Sequence, residues 1–199
     1  MVAAGAALVR GAVDGGFLPT LQAELERLPL RPAPEVVGPV RQETEECELP
    51  APFEGAPAVS ALARALTDAV RRDGQGIPGL ERWVPTVASV QRYRAGSLGI
   101  TPHRDGKRFV HLVAVVNVRG RARFSLHDTR SSPPADTWRL EPGDLVLLRG
   151  PGLGGLEDGR PFHSVRGPER GVRYSLGLRM EARSGCRPGP GRDPHGSRG

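Results

Sequence analysis

The feature that most constrains this chain is a change of rhythm near residue 84. From there to about residue 180, short β-type runs follow one another at 86–93, 109–118, 122–127, 137–140, 144–148, 162–165 and 173–180. Glycine, proline, asparagine, aspartate and serine separate them, and no helical repeat of apolar residues intervenes. Parallel strands need a long crossover, usually a helix, so runs joined by turns alone pair with antiparallel neighbours. A doubly wound parallel sheet is therefore not expected, and an antiparallel sandwich or barrel is. Ahead of residue 84 the apolar period is helical. Phe17, Leu18, Leu21, Leu25 and Leu28 recur at helix spacing up to Pro29, after a short strand at 6–10. Val59, Leu62, Ala63, Leu66 and Val70 predict a second helix over 58–72, ended by Gly74. The expected fold class is mainly β with flanking helices: a β-core over about 84–180 with two N-terminal helices on its outside.

The 199 residues, 38% hydrophobic, suit one domain with a sizeable core, which we place at 1–182. No run of eighteen apolar residues occurs, so no membrane partner is expected. The apolar opening, 1–9, lacks a basic leader and reads as an entry strand, not a secretory signal. Cys47 and Cys186 lie far apart in unlike surroundings, which argues against a disulfide and for a cytoplasmic setting. The net charge of +6 suggests nucleic acid until it is located. Residues 183–199 hold four arginines and one aspartate, hence +3, and leave +3 for the rest. That stretch is Pro/Gly-rich with no anchoring apolar residue, and a disordered tail is expected there. Nucleic acid is thus a possible but not a favoured partner. The acidic run at 43–48 reads as a solvated face, since no glycine-spaced calcium loop surrounds it.

Two motifs carry chemistry. In Thr101-Pro102-His103-Arg104-Asp105 an imidazole and a carboxylate stand two residues apart, on one face if the segment is extended. His163, sixty residues on in Pro161-Phe162-His163-Ser164-Val165, offers a third donor. Two histidines and one carboxylate form the facial set that suits ferrous iron and leaves positions open. The second motif is Arg173-Tyr174-Ser175-Leu176-Gly177-Leu178-Arg179, whose alternation puts Arg173, Ser175, Gly177 and Arg179 on one face. Two inward arginines are costly unless an anion pairs with them, and a dicarboxylic acid is a natural partner, since guanidinium binds carboxylate through two parallel hydrogen bonds; the alternative is an edge strand with a wet face. Gln91 and Tyr93 offer an amide and a phenol to the same anion. His111, within an apolar run, is expected as a buried, hydrogen-bonded core imidazole, and His127 is an alternative ligand source. Asn117 points into the barrel or serves a strand-end turn. Trp83 and Trp138 read as packing residues before stacking platforms. Gly150-Pro151-Gly152-Leu153-Gly154-Gly155 matches a dinucleotide fingerprint by letter, but 156–161 is a poor helix start, and a loop leading to His163 is expected.

In that order, His103-x-Asp105, His163 and Arg173-x-Ser175 resemble the iron(II)- and 2-oxoglutarate-dependent oxygenases over roughly 86–180. Within that superfamily the Arg173–Arg179 stretch is most similar to the AlkB-type branch, with serine where the branch has asparagine and Gln91-x-Tyr93 where it has Asn-x-Tyr. The resemblance implies a double-stranded β-helix (jelly-roll) core, with Fe(II) held by His103, Asp105 and His163. It also implies 2-oxoglutarate held by Arg173 with Ser175, Tyr93 and Gln91, Arg179 in support, and O2 as co-reactant. The activity implied is that of a dioxygenase that hydroxylates a C–H bond of a small-molecule substrate, releasing succinate and CO2. The alternatives are an AlkB-like nucleobase demethylase and, from another class, a cupin-like binding module suggested by Pro142-Gly143-Asp144.

Overall fold

Turn chemistry and alternation lay this chain out as strands. A computed structural model describes residues 5–182; the expected tail at 183–199 lies outside the described residues. In chain order the elements are β1 (Ala6–Val9), α1 (Leu18–Leu25), β2 (Arg31–Pro32), β3 (Val36–Val37), β4 (Val40–Arg41), β5 (Glu45–Pro50) and α2 (Pro57–Asp73). There follow β6 (Val87–Arg94), β7 (Ile100–His103), β8 (Phe109–Arg119), β9 (Ala122–His127), β10 (Pro134–Leu140), β11 (Leu145–Arg149), β12 (Phe162–Val165) and β13 (Val172–Glu181). A seven-stranded sheet runs β1-β11-β8-β13-β6-β5-β2 and a four-stranded sheet runs β10-β9-β12-β7. Their pairings are antiparallel, as expected.

Alternation along each strand divides the core in two. Val113, Val146 and Leu148 of the large sheet meet Phe124, Leu126, Trp138, Leu140 and Val165 of the small one inside the jelly roll. The opposite face of the large sheet, with Ala88, Val90, Ala114, Val116, Leu176 and Leu178, is covered by Leu21 and Leu25 of α1 and Val59, Ala63 and Val70 of α2. Each fully buried leucine or valine contributes about 1.5–3 kcal/mol, so the helices hold in place the large sheet, from which Arg173, Ser175 and Asn117 project. Proline opens α2, and its exposed amides are met by α1: Ala58 and Val59 donate to the Glu24 carboxylate at 2.8 and 2.9 Å. A carboxylate there also meets the positive end of the helix dipole. Among the described residues no helix is long and apolar enough to cross a membrane.

Three expectations change. The acidic run is not simply a solvated face: Glu45–Pro50 is β5, hydrogen-bonded along β6, and Glu45 is clamped by Arg92 (2.6 Å) and Arg94 (3.0 Å). His111 sits in β8 with a left-handed φ of 65° and a buried Nδ1 that has no hydrogen-bond partner. It is wedged against Gly79 and Gly152, where a Cβ would come within 2.3 and 3.1 Å of its ring. His127 is no ligand source: its ring nitrogens meet Ser164 Oγ (2.9 Å) and the Ser132 carbonyl (3.0 Å). Trp83 and Trp138 pack as expected, the first donating to the Leu112 carbonyl at 2.6 Å. Within the glycine-rich stretch the chain makes only a short 3-10 turn, Leu153–Gly155, and no helix follows it to meet a pyrophosphate.

Candidate active site

Strands β7 and β12 pair with His103 directly opposite His163. The two imidazoles therefore project side by side into the barrel, ring centroids 4.3 Å apart and tilted by 52°. Each ring is aimed from behind by the same device. His103 Nδ1 lies 3.0 Å from the Thr101 carbonyl, and His163 Nδ1 lies 3.2 Å from the Pro161 carbonyl. A carbonyl only accepts, so each Nδ1 carries the proton and each Nε2 keeps its lone pair, the arrangement in which histidine ligates metals. Phe124 stacks on His163 at 5.4 Å and Trp138 on Phe124 at 5.9 Å, which keeps water from that ring.

Asp105 completes the group from the turn after β7. Its Oδ2 lies 3.5 Å from His163 Nε2, and its Oδ1 accepts from Arg179 Nε at 3.1 Å. Arg160 donates to its carbonyl. Burial would raise the Asp105 carboxyl, but the Arg179 guanidinium and then the two histidines outweigh it and hold the group low. Burial pushes both imidazoles down, His163 to about 4. At neutral pH the set is thus two neutral imidazoles and one carboxylate, ready for a divalent cation without losing a proton. Among the described residues no group of three or more His, Cys, Asp or Glu side chains is yet drawn together as a metal cage.

The other end of β13 supplies a complementary cation. Arg173 is 2% exposed; its Nε donates to Asn117 Oδ1 at 2.8 Å, and its guanidinium lies 4.9 Å from the Tyr93 ring centroid. Its Nη1 is buried without a partner. Tyr93 donates to Gln91 Oε1 at 2.9 Å, and burial pushes its phenol up, so it stays a donor. Register places Ser175 between Gln91 on β6 and Asn117 on β8. From Arg173 to Arg179 the strand rises about 20 Å at ~3.3 Å per residue. A buried guanidinium with an unsatisfied N–H is expensive, and a carboxylate is its natural complement.

The structure thus gathers His103, Asp105, His163 and Arg179 at one end and Arg173, Ser175, Tyr93 and Gln91 at the other. Asn117 serves both of the roles expected for it. It is fully buried, its Nδ2 donates to the Gly120 carbonyl at 2.7 Å, and its Oδ1 fixes Arg173. A polar residue within Val115-Val116-Asn117-Val118 was the signal for it. Glu46 was not anticipated: it sits opposite Gln91 on β5, its carboxyl pushed up by burial and by Glu48.

A jelly roll that presents two imidazoles, a carboxylate and a facing arginine defines a class of iron oxygenases. A family model for the 2OG-Fe(II) oxygenase superfamily matches residues 26–177, well over half of the chain, and the chain belongs to that superfamily. It is therefore a 2-oxoglutarate-dependent dioxygenase whose class requires Fe(II), 2-oxoglutarate and O2, which sets aside the non-enzymatic binding module. No protein of curated function matches it. Among solved structures it is similar to a prolyl hydroxylase from Trichoplax adhaerens in complex with a hypoxia inducible factor peptide fragment, with TM-score 0.61, 12% identity, and 89% of this chain and 84% of that one covered. A Pseudomonas putida prolyl-4-hydroxylase gives TM-score 0.57 and 20% identity, covering 89% of this chain and 93% of that one. OsALKBH1 gives 0.58 and 16%, covering 90% and 100%. At these identities the likeness is one of fold.

Proposed function

We propose that this dioxygenase hydroxylates a C–H bond of a small-molecule metabolite, with His103, Asp105 and His163 holding Fe(II) and Arg173 holding the far carboxylate of 2-oxoglutarate. The observation that carries the reading is the orphaned Nη1 of Arg173, a buried positive group facing the barrel interior without an anion. When bound, iron with dioxygen and 2-oxoglutarate supplies the oxidising power that yields succinate, CO2 and an oxidised substrate. The chain does the rest. Asn117 fixes the fork of Arg173, Tyr93 and Ser175 offer hydroxyls to the same carboxylate, and Gln91 orients Tyr93. Arg179 keeps Asp105 ionised and aimed, and the Trp138–Phe124 stack keeps the His163 side dry.

A small substrate is favoured over a nucleobase because Trp83 and Trp138 are both committed to packing, while base extraction needs free stacking faces. The free thiol Cys47 suits a cytoplasmic setting. The test is conversion of 2-oxoglutarate to succinate, with iron content measured in parallel. His103→Ala and His163→Ala should lose both iron and turnover, whereas Arg173→Ala should keep iron and lose affinity for 2-oxoglutarate. Iron retained at full occupancy in both histidine variants would overturn the ligand assignment. Efficient demethylation of alkylated oligonucleotides would overturn the choice of substrate class.

A further inference from the structure

A second concave site lies outside the barrel interior, at the end where Arg173 sits. There the β6–β7 and β8–β9 turns and the β12–β13 loop converge around a cavity of about 610 Å³. Five arginines and a single carboxylate line it: Arg121, Arg123, Arg139, Arg166 and Arg170 against Glu169. Arg121 is held by Glu141 at 2.6 Å and Arg123 by Glu169 at 3.2 Å. Arg139, Arg166 and Arg170 have no carboxylate partner among the described residues.

From this we infer a binding site for a compact polyanion, a small molecule carrying two linked phosphoryl groups. Converging like charges repel one another, and an anion placed among them turns that repulsion into attraction. The planar fork of arginine matches pairs of phosphoryl oxygens, giving short charge-assisted hydrogen bonds. The cavity volume falls in the range typical of small-molecule sites. Its walls are the three turns together with Arg123 and Arg139, paired across β9 and β10, so the guanidinium groups come from several directions onto one compact space. Glu169, with a side chain 76% exposed, is free to swing outward and release Arg123 to the ligand. The site is separate from the cosubstrate site but abuts it: Gly120 lines the cavity and its carbonyl receives Asn117, the residue that holds Arg173.

The test uses the full chain without metal, titrated with inorganic pyrophosphate and followed by thermal melting and calorimetry. Saturable binding is expected. Arg139→Glu/Arg166→Glu/Arg170→Glu should abolish it, and the milder Arg139→Ala/Arg170→Ala should weaken it about tenfold or more, the loss expected for a charge-assisted hydrogen bond. Melting of each variant without ligand verifies its fold. Two controls should bind as the wild type does: Arg64→Glu/Arg71→Glu on α2, and Arg173→Ala, which empties the cosubstrate end alone. No saturable binding, binding that survives the triple reversal, or binding lost in either control would overturn the inference. So would an oligonucleotide bound by a chain that ignores pyrophosphate.

Discussion

Arg179 does two things with one guanidinium. Its Nε holds Asp105 at 3.1 Å, and its fork lies across Gly177, where an added Cβ would come within 2.4 Å of Nη1. The glycine is needed for close approach, since its backbone is in ordinary strand pairing with Ser89 and Val115. The far end of the arginine can give way without a backbone shift, but Asp105 is then left buried without its partner, so Gly177→Ala should displace Arg179 from Asp105 and lower the melting temperature by several degrees. If Asp105 holds the iron as proposed, succinate formation should then fall by about tenfold or more, the scale seen when support of a metal ligand is lost. Full turnover in this variant would show that Asp105 does not depend on Arg179. The alternation of Arg173, Ser175, Gly177 and Arg179 was legible because a strand has a strict period of two. The partnership of Arg179 with Asp105 was not, because it joins residues far apart in the chain.

Among the elements, β5 was the least legible. Its sequence, Glu45-Glu46-Cys47-Glu48-Leu49-Pro50, hides a half-buried strand under charge. Glu45 is paired with arginines of β6 and Glu46 is half-buried opposite Gln91, while Glu48, opposite Ser89, keeps an exposed side chain, so the run is partnered at one end and solvated at the other. The hydrogen bond from Arg92, with Arg94 beside it, draws the Glu45 carboxyl from its ordinary 4.5 down to about 2. A folded value below the unfolded one adds stability above about pH 4.5 that is lost as pH falls toward 2. Glu45→Gln should therefore be less stable than the wild type by about 1 kcal/mol at neutral pH, with the gap closing in acid. Denaturant unfolding at pH 7 and pH 3 would measure it, and a gap independent of pH would refute the account. The strands β6, β8, β9, β12 and β13 were read nearly to their ends, because alternation and turn residues mark them without ambiguity.

For the whole molecule, the two apolar clusters divide the work. One seats the helices on the large sheet, and the other closes the two sheets over the site. Under the proposed assignment, 2-oxoglutarate would link the cation held by the histidines and Asp105 to Arg173. With a divalent cation that does not react with oxygen, 2-oxoglutarate at about a hundred times its Kd should raise the melting temperature by about 5 °C or more. Arg173→Ala should lose the 2-oxoglutarate increment and keep that of the cation, as read by differential scanning fluorimetry. The class of fold could be read from order and spacing in the chain. How β7 meets β12 could not, since pairing partners sixty residues apart leave no local trace.

That pairing has a consequence for biogenesis. Because His103 and His163 become neighbours only when β7 and β12 zip together, an emerging or denatured chain holds its would-be ligands scattered along a coil. Under the proposed ligand assignment, a divalent cation would bind the paired strands in preference to the open chain, so cation binding would favour the folded barrel by mass action.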